Sequence, residues 1–188
     1  RNGGSVGSTV RLRGAVAVNM AFQNVRQALQ TASKKLSRRA LHWRMRGQPE
    51  ADILVAERKL RGVEQFDKLH RADVVIVSFG KSGRTWLRVM ISHLFRVMYK
   101  FPENAILGFD NFHNLNREVP KTFFTHDNYI KDFTGDFDTK APFYDKRVIL
   151  LARDPRDVAV SQFFQWKFRV KSTKIAINNY PPRGSDIS

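Results

Sequence analysis

The sequence contains no cysteine. That absence excludes disulfides, zinc–thiolate sites and a cysteine nucleophile, but it does not choose a compartment. Long apolar runs are missing too, and none approaches the length of about eighteen residues that a spanning helix needs. Acid is scarce: 17 Asp and Glu stand against 33 Lys and Arg, a formal net charge of +16. The shortage is uneven, since Arg1 to Pro49 holds ten Arg or Lys and no acid at all. So basic a chain attracts polyanions: a nucleotide with several phosphates, a sulfated or acidic glycan, an anionic membrane, or nucleic acid. The first residue is not methionine, so a fragment or a processed product is expected.

What is present suits one domain. The chain has 188 residues, 42% of them hydrophobic and 15 of them Phe, enough for a sizeable core. It is organised around Ala72–Met90, ADVVIVSFGKSGRTWLRVM. Val74-Val75-Ile76-Val77 reads as a strand buried on both faces. Ser78 to Thr85 reads as a tight polar loop with two glycines and a lysine. Trp86, Leu87, Val89, Met90, Leu94 and Val97 then recur at helical spacing, predicting a helix from about Thr85 to Tyr99. Strand, Gly-containing loop and helix N-terminus together bind phosphate, because free N–H groups and the positive helix end face the ligand. The Walker A pattern does not fit, since its first glycine falls on Val75 within the strand.

Around this centre, a Gly- and Ser-rich stretch to Arg13 reads as mobile. A basic amphipathic helix is expected over Val18 to Trp43, with Phe22, Val25, Leu29, Leu36 and Ala40 along one stripe. That helix is either a membrane-surface or targeting element or a basic helix docked on the domain. Asp52–Leu69 reads as a further helix. Asn104 to Pro120 reads as loop or short helices, and Tyr129 to Tyr144 as irregular. Lys121–Thr125 and Arg147–Ala152 read as the second and third strands. At the end of the third, Asp154 suits an N-cap, Pro155 the first helical position and Asp157 the first turn of a helix running to about Arg169. Strand–loop–helix thus occurs twice, with a strand between. The expected fold is a three-layer, P-loop-like α/β fold with a central parallel sheet and flanking helices, its ligand at the carboxyl ends of the strands. Residues 1–70 are expected to form a basic, partly helical extension and 71–188 the nucleotide-binding core.

Lys81-Ser82-Gly83-Arg84-Thr85-Trp86 after a strand resembles the 5′-phosphosulfate loop of sulfotransferases that use 3′-phosphoadenosine-5′-phosphosulfate (PAPS). Arg153 at a strand end, with Ser161 eight residues later, is similar to that family's 3′-phosphate motif. Thr125-His126 matches the strand end that carries the family's general base, although Phe124 stands where cytosolic members have Lys. The order F-T-H-D with K-S-G-R-T-W looks like bacterial sulfotransferase-domain proteins. The resemblance covers about Asp73 to Arg169.

It implies the following roles. Lys81 neutralises the phosphosulfate as the leaving group departs. The N–H groups of Ser82, Gly83, Arg84 and Thr85, with the Ser82 and Thr85 hydroxyls, hold the 5′-phosphate. Trp86 stacks on adenine, Arg153 and Ser161 hold the 3′-phosphate, and His126 takes the acceptor proton. PAPS is the co-substrate, its product is the 3′,5′-bisphosphate, and no metal is expected. Asp127 is a candidate to orient His126 or replace it; His113 and Glu118 are weaker base candidates. Lys167, Arg169, Lys171 and Lys174 could add positive field.

Gly80 stands where many relatives have Pro, and relatives continue beyond Ser188 with a Gly- and Lys-containing segment, so a C-terminally truncated piece is expected. The acceptor is a small molecule or a glycan. Phe109, Phe112, Phe123, Phe124, Tyr129 and Phe133 either line its pocket or form core. Nucleic acid is not expected as a partner; the expected location is cytoplasmic, with an anionic membrane surface open to the basic N-terminal helix. Two other readings stand beside this one. A basic polyanion- or membrane-binding module would bind through charge alone, and a P-loop nucleotide kinase would need an acidic Mg²⁺ ligand at a strand end.

Overall fold

The computed structural model describes residues 6–171, 174–182 and 185, with side chains from 21 onward except 24. Three strands form one parallel sheet: β1 (Val74–Ser78), β2 (Thr122–Thr125) and β3 (Arg147–Leu151), in the order β2-β1-β3. Val77 pairs with Thr125 on one side and Leu150 on the other, so all three carboxyl ends finish level. Because β1 is central while its chain neighbour β2 lies on one side and β3 on the other, the crossovers part at β1. A ligand crevice belongs at that divergence.

Alternation along the strands serves two helical layers. Val75 and Phe123 pack with Leu69, Ala72, Ile130 and Phe143 under α2 (Glu50–Arg71) and α5 (Asn128–Thr134). Phe124 joins Phe101, Leu107, Phe112 and Val119 beneath α3 (Arg84–Tyr99) and the short α4 (Asn111–Leu115). The fold is therefore α/β, with a parallel sheet between helices. α6 (Pro155–Phe164) follows β3, and Gln165–Arg169 continues it as one π turn. Asp154 caps α6 by accepting from the Arg156 N–H at 2.8 Å, with Pro155 at the first helical position.

Several expectations need correction. α1 (Val6–Arg44) reaches back well into the stretch read as mobile; residues 1–5 lie outside the described residues. The irregular stretch after Tyr129 contains α5 and a 3₁₀ turn, Ala141–Phe143. The apolar residues read at helical spacing on α3 point mostly outward: Trp86, Val89, Met90, Leu94 and Val97 are exposed, while Ile91, Phe95 and Tyr99 pack inward. β3 is an apolar run but an edge strand, with Val148, Ile149 and Leu150 uncovered among the described residues. None of the described helices is long and apolar enough to cross a membrane.

α5 lies so close to α2 that only glycine fits at the crossing. A Cβ on Gly62 would collide with the Tyr129 carbonyl oxygen and the Phe133 Cβ, neither of which is a flexible end. Gly62→Ala is expected to cost about 1–3 kcal/mol by overpacking, despite alanine's better helix propensity. Chemical denaturation read by circular dichroism measures it; a neutral or stabilising result would mean that α5 does not dock as described.

Candidate nucleotide-binding cleft

The ends of β1 and β3 open into a cleft of about 900 Å³. Lys81, Gly83, Arg84, Thr85, Trp86 and His126 line it from one side, and Arg153, Ser161, Gln165 and Arg169 from the other. The two motifs, more than seventy residues apart in sequence, thus meet across adjacent strands. Lys81, Arg84, Arg153, Arg169, Lys171 and Lys174 give the lining six cations, and among the described residues it contains no carboxylate. A more enclosed cavity of about 340 Å³ lies between α1, α2 and the 108–111 loop, but it holds none of the motif residues.

The loop geometry follows from its sequence. Gly83 precedes α3 at φ 94°, and a Cβ there would meet nothing, so glycine serves the left-handed backbone rather than a close contact. Lys81 takes φ 68°, an uncommon conformation for a residue with a side chain, of the kind that collects at ligand sites. Its Nζ donates to Gln165 Oε1 at 2.7 Å, so the π turn of α6 holds the lysine across the cleft. Burial, and then the nearby Arg169 charge, lower the Lys81 pKa. The first turn of α3 leaves its N–H groups without intrahelical acceptors, and its first helical bond runs from the Leu87 N–H to the Gly83 oxygen. Ser82 departs from expectation. It is buried, absent from the lining, and its N–H donates to the Phe79 oxygen at 3.4 Å. The donors at the cleft are therefore Gly83, Arg84, Thr85 and Trp86. Trp86 is 76% exposed and so is no part of the core.

Arg153 links the two junctions. Its guanidinium donates to the Lys81 carbonyl oxygen at 3.3 Å and pairs with Asp157 at 3.4 Å. The Ser161 hydroxyl has no partner among the described residues and lines the same cleft.

His126 sits at the end of β2 with Nδ1 2.6 Å from the Ser78 carbonyl oxygen. A carbonyl only accepts, so Nδ1 carries the proton and the neutral ring leaves Nε2 with its lone pair. Burial lowers its pKa, the Ser78 bond partly offsets that, and the Arg84 charge lowers it further. Asp127 does not orient this ring. It is buried at φ 57° and paired with Lys140 at 2.7 Å and Lys131 at 4.0 Å. His113 and Glu118 lie beside Ala72, Asp73, Pro120 and Arg147, at the amino ends of the strands and far from the motif loops.

The six aromatic residues that could have formed an acceptor pocket are all absent from the cleft lining. Phe112 and Phe123 are core, Phe124 lies under Arg88, Phe109 under Arg71, Tyr129 under Arg58 and Arg61, and Phe133 against Phe66. Of the basic cluster after α6, Arg169, Lys171 and Lys174 reach the cleft, whereas Lys167 packs over Phe163 and Phe168. Sequence reasoning missed Gln165, Gln162, Asn128 and Tyr180. Only the short spacing of the two glutamines from Ser161, one and four residues on along the same helix, hinted at them.

Comparison with known proteins agrees with the geometry. The family model described as sulfotransferase domain matches residues 71–180. The chain is similar to human sulfotransferase 6B1, 26% identical over 137 residues, and to chimpanzee sulfotransferase 6B1, 25% identical over 139. Those matches cover 69% and 70% of this chain but only 43% and 44% of the relatives, so the chain spans less than half the length of the curated relatives it matches. No solved structure matches it.

Proposed function

We propose that this chain, which belongs to the sulfotransferase domain family, is the nucleotide-binding core of an enzyme that transfers a sulfuryl group from PAPS to a hydroxyl or amine acceptor. The observation that carries this reading is the six-cation cleft, with no acid among its described lining residues, in which the Lys81 loop and the Arg153–Ser161 pair meet. A ligand with phosphates at two ends needs two cationic stations, and one phosphate loop alone would not supply the second. Among the described residues, the lining holds no carboxylate of the kind that a Mg²⁺-dependent kinase reading requires.

In this reading PAPS supplies the sulfuryl group and departs as the bisphosphate. Gly83, Arg84, Thr85 and Trp86 offer backbone N–H groups at the helix N-terminus to the 5′-phosphate, and Thr85 adds its hydroxyl. Arg153 offers a planar fork, and Ser161 a hydroxyl, to the 3′-phosphate. Trp86 offers an exposed ring for adenine. Lys81, positioned by Gln165, neutralises charge that grows as the sulfuryl–oxygen bond breaks. His126 accepts the acceptor proton at Nε2 while Nδ1 stays anchored to Ser78.

The test is calorimetric titration with adenosine 3′,5′-bisphosphate beside ATP, on the wild type and on Arg153→Ala. The bisphosphate should bind more tightly, and Arg153→Ala should weaken it by roughly tenfold to a hundredfold, the size of a lost charged hydrogen bond, with ATP much less affected. Equal affinity for the two nucleotides in the wild type would sink the reading.

A further inference from the structure

α1 is mounted the unusual way round. An amphipathic helix on a globular domain ordinarily buries its apolar stripe. Here the docked face is mostly polar, half-buried Leu41 excepted. Gln23 accepts from Asn114 at 3.2 Å, Lys34 and Arg38 pair with Glu64 at 3.3 and 3.0 Å, and His42 meets Glu57 at 2.9 Å. On the opposite side Phe22, Val25, Leu29, Leu36 and Trp43 stand 59–73% exposed. At 3.6 residues per turn these five fall within an arc of about 60° and run the length of the described side chains. Arg26 and Arg44 border the stripe on one side, Lys35 and Arg39 on the other; all four are exposed and without ion pairs among the described residues. The stripe is therefore a narrow apolar ridge between two cationic margins.

We infer that this ridge is a docking surface for an anionic lipid bilayer, with α1 lying in the headgroup plane. Charge complementarity decides the occupant. Residues 1–49 contain no acid, so a second α1 laid on this ridge would set like-charged margins against each other along its whole length. A surface of anionic headgroups neutralises the same margins, while Phe22, Leu29, Leu36 and Trp43 enter the acyl boundary and Arg and Lys stems extend back to the phosphates. Trp43, an aromatic ring with a polar N–H, suits that boundary. The ion pairs to Glu64 and Glu57 leave this ridge free, so the domain rides on the helix rather than competing for its apolar side. This inference does not depend on the nucleotide cleft.

Vesicle co-sedimentation tests it. The wild-type chain should partition onto phosphatidylcholine vesicles with about a third phosphatidylserine, and weakly onto phosphatidylcholine alone. The double variant Leu29→Glu/Leu36→Glu, at exposed positions, should keep its circular dichroism and melting transition but lose vesicle binding by on the order of tenfold or more. As a second readout, Trp43 emission should shift to shorter wavelength on adding the anionic vesicles, and Trp43→Phe should remove that shift. Absence of binding, or undiminished binding by the double variant, overturns the inference. So does lipid-free self-association of the wild type, seen by sedimentation and abolished in the double variant, which would make a second copy the occupant.

Discussion

Replacing Lys81 by alanine is expected to lower kcat for sulfuryl transfer by about a hundredfold to a thousandfold while weakening binding of the 3′,5′-bisphosphate far less. The expectation rests on where the charge is held. Lys81 lies on a loop fixed at φ 68°, its carbonyl takes a bond from Arg153, and its Nζ is tethered to Gln165. A cation so restrained contributes more as charge develops than in the resting complex, because no reorganisation is needed at the moment of reaction. In the proposed binding mode the bisphosphate would have Arg153 and the helix N-terminus besides Lys81, so its binding should survive the loss. Gln165→Ala should reproduce part of the kcat defect through Lys81, and Gln165→Glu should preserve the tether. If binding of the nucleotide fell uniformly, and rising salt abolished it in wild type and Lys81→Ala alike, the cleft would be a polyanion site with no catalytic use for Lys81.

The parts legible in the sequence are those fixed locally. A β-branched run, Gly83 before a helix, and Asp154-Pro155 after a strand each carry their own conformational cause. β1 and α3 accordingly form within a residue or two of where they are expected, and α6 starts at Pro155 as expected but ends as an α-helix at Phe164, the π turn carrying the chain on to Arg169. α5 was illegible because its polar–aromatic run docks on α2 across Gly62, a residue sixty-six positions before its first. The outward stripes of α1 and α3 were legible as stripes but not in direction, since periodicity reveals that a helix has two faces and not which one a neighbour covers. At the cleft, the motifs pointed to Lys81, Arg153 and Ser161, which line it together, whereas the bonds that hold Lys81 and Arg153 are set by strand order. Gln165 reaches Lys81, and the Ser78 carbonyl reaches His126, only because β3 and β2 flank β1. Asp127 shows the converse. Adjacency in sequence suggested a dyad with His126, but the left-handed backbone at Asp127 goes with a carboxylate paired to Lys140 instead.

His126→Ala is expected to reduce kcat/KM by about a hundredfold to ten-thousandfold, and the wild-type pH profile carries the sharper information. A general base works unprotonated, so activity falls as pH drops through its pKa. Burial, with Arg84 adding to it and the Ser78 bond opposing it, places that pKa below the ordinary 6.5. The acid limb of kcat/KM should therefore inflect below 6.5, with activity full at neutral pH, rather than above it as a histidine paired with a carboxylate would give. Arg84→Gln removes a repelling charge and should move the inflection upward, whatever it does to the amplitude. Asp127→Asn should leave the limb in place, because that carboxylate is committed to Lys140 and Lys131. A profile in which Asp127→Asn erases the limb and His126→Ala does not would transfer the base to Asp127. The tautomer makes the histidine the stronger candidate: with Nδ1–H bound to the Ser78 oxygen, Nε2 is the nitrogen left to take the acceptor's proton.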